Sequence, residues 1–213
     1  MISLVRQTIA GAWPRGIQEE RLYVGSHEFK LKGNPWRGAG DENIHAKRLI
    51  RSILKALFNV GWVLAFSTDA SKKQMDKDTL IFRHQDPAPA PREWACVGFS
   101  MSNKIRLIDC PPELATSVLR SLGPMVRRSE NHSSVGGVYE IVLNAHVWYA
   151  TGIDSMLARE TLLKLTEALE DHGFTVYASI DQKASGAENM SENDTWHCCR
   201  SVGWQQGLPV YHA

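Results

Sequence analysis

The chain repeats itself, and an internal repeat constrains the fold more than any motif it carries. Residues 28–69 lie over 140–181 without a gap, and ten of the 42 positions are identical: Glu28/Glu140, Leu31/Leu143, Trp36/Trp148, Gly40/Gly152, Ala46/Ala158, Ala56/Ala168, Leu57/Leu169, Gly61/Gly173, Ser67/Ser179 and Asp69/Asp181. Unrelated segments of ordinary composition would share roughly three. After the two Ser-x-Asp sequences the second copy gains four residues, and the register resumes with Asp78-Thr79 over Asp194-Thr195. "TLIFRH" then lies over "TWHCCR", with Ile81 over His197, Arg83 over Cys199 and His84 over Arg200. An insertion between matched segments is what a loop tolerates and a helix does not. The repeat copies are 28–84 and 140–200, with 86–138 a hairpin, a short helix and a linker.

Each copy reads as strand, helix, strand, strand. "EFKLK" alternates as a short strand, which Gly33, Asn34 and Pro35 stop. Asp41 suits a helix cap. Ile44, Leu49, Ile50, Ile53, Leu54, Leu57 and Phe58 then recur at spacings of three and four, one face of a helix that Asn59 and Gly61 end. Lys47, Arg48, Arg51 and Lys55 fall on its polar face. "WVLAFST" and "TLIFRH" are strands, and "DPAPAPR" is a rigid connector. "WACVGFSM" and "KIRLIDC" pair as a hairpin, "PPELATSVLRSL" opens a helix with proline, and "RRSENHSSVGG" is a polar loop. The second copy follows with strands at 138–144, 174–180 and 194–200 and a helix at about 154–171.

Each long helix needs an apolar surface to cover. The expected fold is therefore α+β and internally duplicated: a mostly antiparallel sheet of about eight strands with two long helices on one face. The second copy lacks the hairpin and terminal helix and would make a poor domain alone, so residues 1–213 are read as a single fused domain.

Composition excludes more than it identifies. A formal charge of +1 gives no basic excess for nucleic acid, and the runs Lys30-x-Lys32, Lys47-Arg48-x-x-Arg51 and Arg127-Arg128 are short enough to be solvated faces. Four cysteines without a CxxC, two of them adjacent, do not make a secreted disulfide framework. No apolar run spans a bilayer and no long apolar leader core opens the chain. A cytoplasmic or nuclear location is expected, although Arg6 and Arg15, with no acid before Glu19, also suit a mitochondrial presequence.

The candidate binding residues are Ser67 with Asp69, Ser179 with Asp181, and the repeated Trp36 and Trp148. Residues two apart on a strand share a face, so a hydroxyl and a carboxylate could hold an amine, a metal or a sugar hydroxyl. The preferred reading makes them strand-end groups that hydrogen-bond the following loop. For the tryptophans, filling the helix–sheet corner is preferred over a stacking platform. His197 and Cys199 share a strand face, but two ligands are too few for zinc, and Ile81 and Arg83 stand at the matching positions of the first copy. No phosphate loop, GxGxxG, HExxH or GxSxG is present. No metal, no cofactor and no catalytic residue are assigned.

Duplication without a retained catalytic set suits a scaffold. The expected function is a non-enzymatic binding module that recognises a protein partner, or a small ligand, through the duplicated sheet, with no membrane and no nucleic acid involved. Two alternatives stand beside it. One is a small-molecule enzyme with a cleft between the halves, using Asp69, Asp181 and His197. The other is a single-stranded nucleic-acid binder using exposed aromatics.

Overall fold

The computed structural model describes residues 1–36, 40–68, 70, 78–182 and 194–210. The chain divides into two compact units, Met1–Pro91 with Asp181–Ser191 and Arg92–Ile180 with Glu192–Ala213. The boundary at Pro91 lies in the proline-rich connector.

The first unit contains α1 (Ile2–Ala12), β1 (Ile17–Tyr23), β2 (Ser26–Leu31), α2 (Asp41–Asn59), β3 (Trp62–Thr68) and β4 (Thr79–His84). β1 pairs with β2 and β3 with β4, as two separate antiparallel two-stranded sheets. A small core joins Ile9 of α1 and Trp13, which caps its end, to Ala46 and Leu49 of α2, with Phe29 and Leu31 of β2 packed against them. The Trp13 indole N–H donates to Lys32 O at 2.9 Å, so the buried ring keeps its one polar group satisfied. The cap expected at Asp41 lies one residue earlier, at Gly40; Asp41 and Glu42 occupy the first turn, where negative charge faces the positive end of the helix dipole. Lys47, expected on a polar face, is buried.

The second unit contains β5 (Arg92–Ser100), β6 (Lys104–Ile108), α3 (Pro112–Leu122), β7 (Val126–Asn131), β8 (Val138–Leu143), α4 (Ser155–Glu170), β9 (Thr175–Ile180) and β10 (Thr195–Ser201). Its strands form one antiparallel sheet in the order β7-β8-β6-β5-β10-β9. Leu114, Val118 and Leu122 of α3 and Leu165, Ala168 and Leu169 of α4 pack on one sheet face, against Val97, Phe99, Leu107, Ile141 and Cys198. Each such leucine contributes about 1.5–3 kcal/mol by leaving water.

The duplication is preserved down to the register. β3–β4 and β9–β10 pair residue for residue in the same alignment, with Phe66↔Ile81 answering Ala178↔His197, and both ladders shift at the same place. The hairpin β1–β2 likewise matches β7–β8, again with one shift at the same place. The repeated element is therefore α-β-β-α-β-β, longer at its start than the copies read from sequence.

The sequence expectation of α+β architecture with antiparallel strands holds, but its count does not. Among the described residues there are ten strands in three sheets rather than about eight in one, and four α-helices, two long and two short, where two long and one or two short ones are expected. The missed strands explain the difference. "RRSEN", read as loop, forms β7, and β1 was not assigned. Both are outer strands with mostly exposed polar residues, so neither shows the apolar alternation that marks a half-buried strand. The helices α1 and α3 have 11 residues each and pack on the long helix of their own unit.

Candidate functional site

The repeated serines sit near the ends of β3 and β9, where the chain leaves the sheet. In the second copy the Ser179 hydroxyl donates to the Asp194 carboxylate at 3.0 Å, closing the end of the β9–β10 ladder. Asp181 takes a different partner: its backbone N–H donates to Asp78 Oδ2 at 3.0 Å. Next to it, the Gln182 side-chain amide donates to Ala46 O at 3.2 Å. Asp78 and Asp194 are themselves a matched pair, and both accept hydrogen bonds from the segment that ends β9. Ser67 is exposed on β3, and Asp69 lies outside the described residues. Ser179→Ala is expected to cost about 1 kcal/mol in thermal denaturation of the second unit. Loss of a binding activity at unchanged stability would make this serine part of a site instead.

The tryptophans part company. Trp148 is half-buried, donates its indole N–H to Lys104 O at 3.3 Å, and meets Phe99 edge-on at 4.9 Å between ring centroids. Both partners lie on the hairpin β5–β6. Trp36, its counterpart, is 40 % exposed.

Cys96, Cys198, Cys199 and His197 are buried, and Cys110 is half-buried. Cys96 and His197 are directly opposed on β5 and β10, with Sγ 3.4 Å from Nδ1, and both are buried. Burial pushes the Cys198 thiol well above its ordinary range. Burial also raises Cys199, against the opposing pull of the Arg92 guanidinium 3.7 Å away. A nucleophilic cysteine needs the reverse shift, toward thiolate. Among the described residues no three His, Cys, Asp or Glu side chains are grouped to hold a metal ion.

One charged cluster escaped the sequence reading. Glu140 on β8 accepts from Arg106 Nε at 2.7 Å and from Lys104 Nζ at 3.0 Å, both on β6, and His132 Nε2 lies 3.9 Å away. All four side chains are at least mostly buried. Desolvation would raise the Glu140 pKa, but the hydrogen bonds from Arg106 and Lys104 outweigh it and hold the carboxyl below its ordinary value. The signal was present as Lys-x-Arg in "KIRLI" and as the repeated Glu28/Glu140. The first copy resolves the same glutamate locally: Glu28 bonds Arg21 of its own hairpin at 2.6 Å, in solvent.

Both units expose apolar side chains, but not at matched positions of their β-ladders. Phe66 and Ile81, opposed across β3–β4, are 56 % and 41 % exposed, whereas their counterparts Ala178 and His197 are 6 % and 0 %. Leu22, Tyr23 and Val24 are exposed around the β1–β2 turn, where Val24 takes φ +47°. Two clefts of about 360 Å3 each flank α3 in the second unit. One is polar, with Glu113, Arg120, Asp171 and His172 on its walls, and the other is more apolar, with Leu107, Ala115, Leu119 and Val138.

Fold and surface thus define an internally duplicated α+β protein whose two copies differ in what they leave exposed. A family model matches residues 1–83 and again 93–199, so the chain belongs to that family and carries its domain twice. No curated protein and no solved structure matches the chain. No helix among the described residues is long and apolar enough to cross a membrane.

Proposed function

We propose that the protein is a non-enzymatic binding module in which the second copy serves as the structural half and the first copy recognises a protein partner. The asymmetry between matched positions carries this reading. Phe66, Ile81 and Trp36 are exposed in the first copy, where Ala178 and His197 are buried and Trp148 is packed in the second. A directly opposed Phe–Ile pair on an open sheet face is the kind of surface a protein partner covers. The groups with catalytic potential lend it support, since Ser179 and Glu140 are engaged in bonds that hold the fold and burial raises the Cys198 and Cys199 thiols.

The test is retention from the native cell extract on the immobilised full chain. A protein is expected to be retained by the wild type and lost, at least tenfold, by the double variant Phe66→Ser, Ile81→Ser. Both positions are exposed, so the variant is expected to fold. Equal retention by the two chains, or retention of only nucleic acid or a small molecule, would overturn the reading.

A further inference from the structure

The second unit contains one hairpin that the first does not. β5 and β6 occupy the middle of the six-stranded sheet, β6 against β8 and β5 against β10. Without them the sheet would fall into β7–β8 and β9–β10. The described residues of the first unit form that arrangement, with β1–β2 and β3–β4 as separate two-stranded sheets.

Three matched positions show what the difference leaves open. Trp148 is held by Lys104 and Phe99 of the middle hairpin, and Trp36 is exposed. His197 is buried beside Cys96 of β5, and Ile81 is exposed. Arg200 is paired with Glu93 of β5 at 2.6 Å, and His84, in its place, is exposed. All three second-copy contacts are made by β5 or β6. The strand β10 gives its second edge to β5 over residues 196–201, whereas β4 is paired among the described residues only with β3. An unpaired edge presents a row of N–H and C=O groups that templates another strand.

The geometry points to β4 as the acceptor of an extended strand from a partner protein, laid antiparallel in the register that β5 takes on β10. This rests on the protein-binding reading above and names its site and partner class. Carrying the β10–β5 register across puts the partner's equivalent of Glu93 opposite His84, its equivalent of Cys96 opposite Ile81, and its equivalent of Val97 opposite Leu80. The partner strand therefore carries an acid at one end, opposite the exposed His84 imidazole, and small or apolar residues along the middle. Main-chain hydrogen bonds supply the affinity and these side chains the selectivity. Self-pairing of β4 suits the charges less well. About the strand's midpoint it opposes Arg83 to Leu80 and His84 to Thr79, and the adjacent acid, Asp78, already accepts the Asp181 N–H.

The chain's own middle hairpin supplies the probe. A synthetic peptide of residues 92–108, with Cys96→Ser to prevent oxidation, is titrated into the full chain while amide hydrogen exchange is followed residue by residue. Exchange at residues 79–84 is expected to slow about tenfold at saturation. The same peptide carrying Glu93→Lys is expected to bind about fivefold more weakly, since it removes the acid that the His84 imidazole can hydrogen-bond across the pair. Ile81→Glu in the chain, on the exposed face, is expected to weaken binding while leaving the far-ultraviolet spectrum unchanged.

Slowing confined to 195–201, no slowing at saturating peptide, or equal binding of the Glu93→Lys peptide would overturn the proposal. So would protection of 79–84 that rises with chain concentration in the absence of peptide, which would mean a second copy occupies the edge. The two tests separate the two readings. Partner retention that needs Phe66 and Ile81, with β4 unprotected by peptide, removes this site and keeps the protein-binding function. Protection of β4 with no retained partner does the reverse.

Discussion

Gly61→Ala is expected to destabilise the first unit by about 3 kcal/mol, a large share of what holds a small domain folded. Gly61 ends α2 with φ +87°, and an added Cβ would lie well inside contact distance of the Gln85 carbonyl oxygen. That oxygen belongs to backbone that is itself tied down, since the Gln85 N–H donates to Gly61 O at 2.7 Å. The substitution therefore combines a positive φ, worth about 1–2 kcal/mol for a residue with a Cβ, with an overlap that only the β3–β4 backbone can relieve. Gly173 repeats the conformation at φ +78°, but its added Cβ would meet the Trp204 indole, a side chain near the surface that can tilt, so about 2 kcal/mol is expected there. Gly203 has φ +76° and open space around it, so Gly203→Ala isolates the backbone part, about 1 kcal/mol. Urea denaturation of the three variants is expected to rank them in that order. Equal losses would show that the overlaps are relieved without cost and that only the dihedral matters.

Glu140→Ala is expected to cost the second unit about 3 kcal/mol at neutral pH, because it leaves Arg106 and Lys104 mostly buried with no counter-charge. The matched substitution in the first copy, Glu28→Ala, removes a pair exposed to solvent and is expected to cost well under about 1 kcal/mol. Acid should act in the same sense as the first substitution. The folded-state pKa of Glu140 lies below the ordinary 4.5, so its contribution is fully present above that value and is lost as the pH falls through the folded-state value. The midpoint of denaturation of the wild type is thus expected to drop on the acid side of pH 4.5, and Glu140→Gln to flatten the dependence. A wild-type curve parallel to that of the glutamine variant would show that the ion pairs are screened in solution.

The duplication was legible because it is a property of order along the chain. Glu28/Glu140, Gly61/Gly173 and the four-residue insertion after Ser-x-Asp located every matched helix and strand of 28–84 and 140–200 to within a residue or two. Gly61 and Gly173 are matched because the same helix-to-strand turn demands a positive φ twice. β1 and β7 were not legible. An outer strand with polar residues on both faces has no alternation to read, and only its neighbour shows that it is a strand. The charged cluster was hidden for a related reason. Lys104 and Arg106 are separated from Glu140 by 36 and 34 residues, and β6 meets β8 only because the hairpin inserts between β8 and β10.

The candidate site divides in the same way. From "STD" and "SID" alone the strand-end reading is preferred over a ligand pocket, but neither partner can be named. The partners of Ser179 and Asp181, the carboxylates of Asp194 and Asp78, come from beyond the loops, where no local pattern ties them to the serine. Order along the chain determined that two copies of one β-α-β-β element exist, because local periodicity and turn chemistry are encoded by neighbours. Tertiary structure alone decided that the copies are unequal. In the second unit the β5–β6 hairpin packs on Trp148 and pairs with β10, while Trp36 and Ile81 at the matched positions of the first are exposed, and strand pairing over that separation in sequence is set by the packing of the whole sheet rather than by neighbours along the chain.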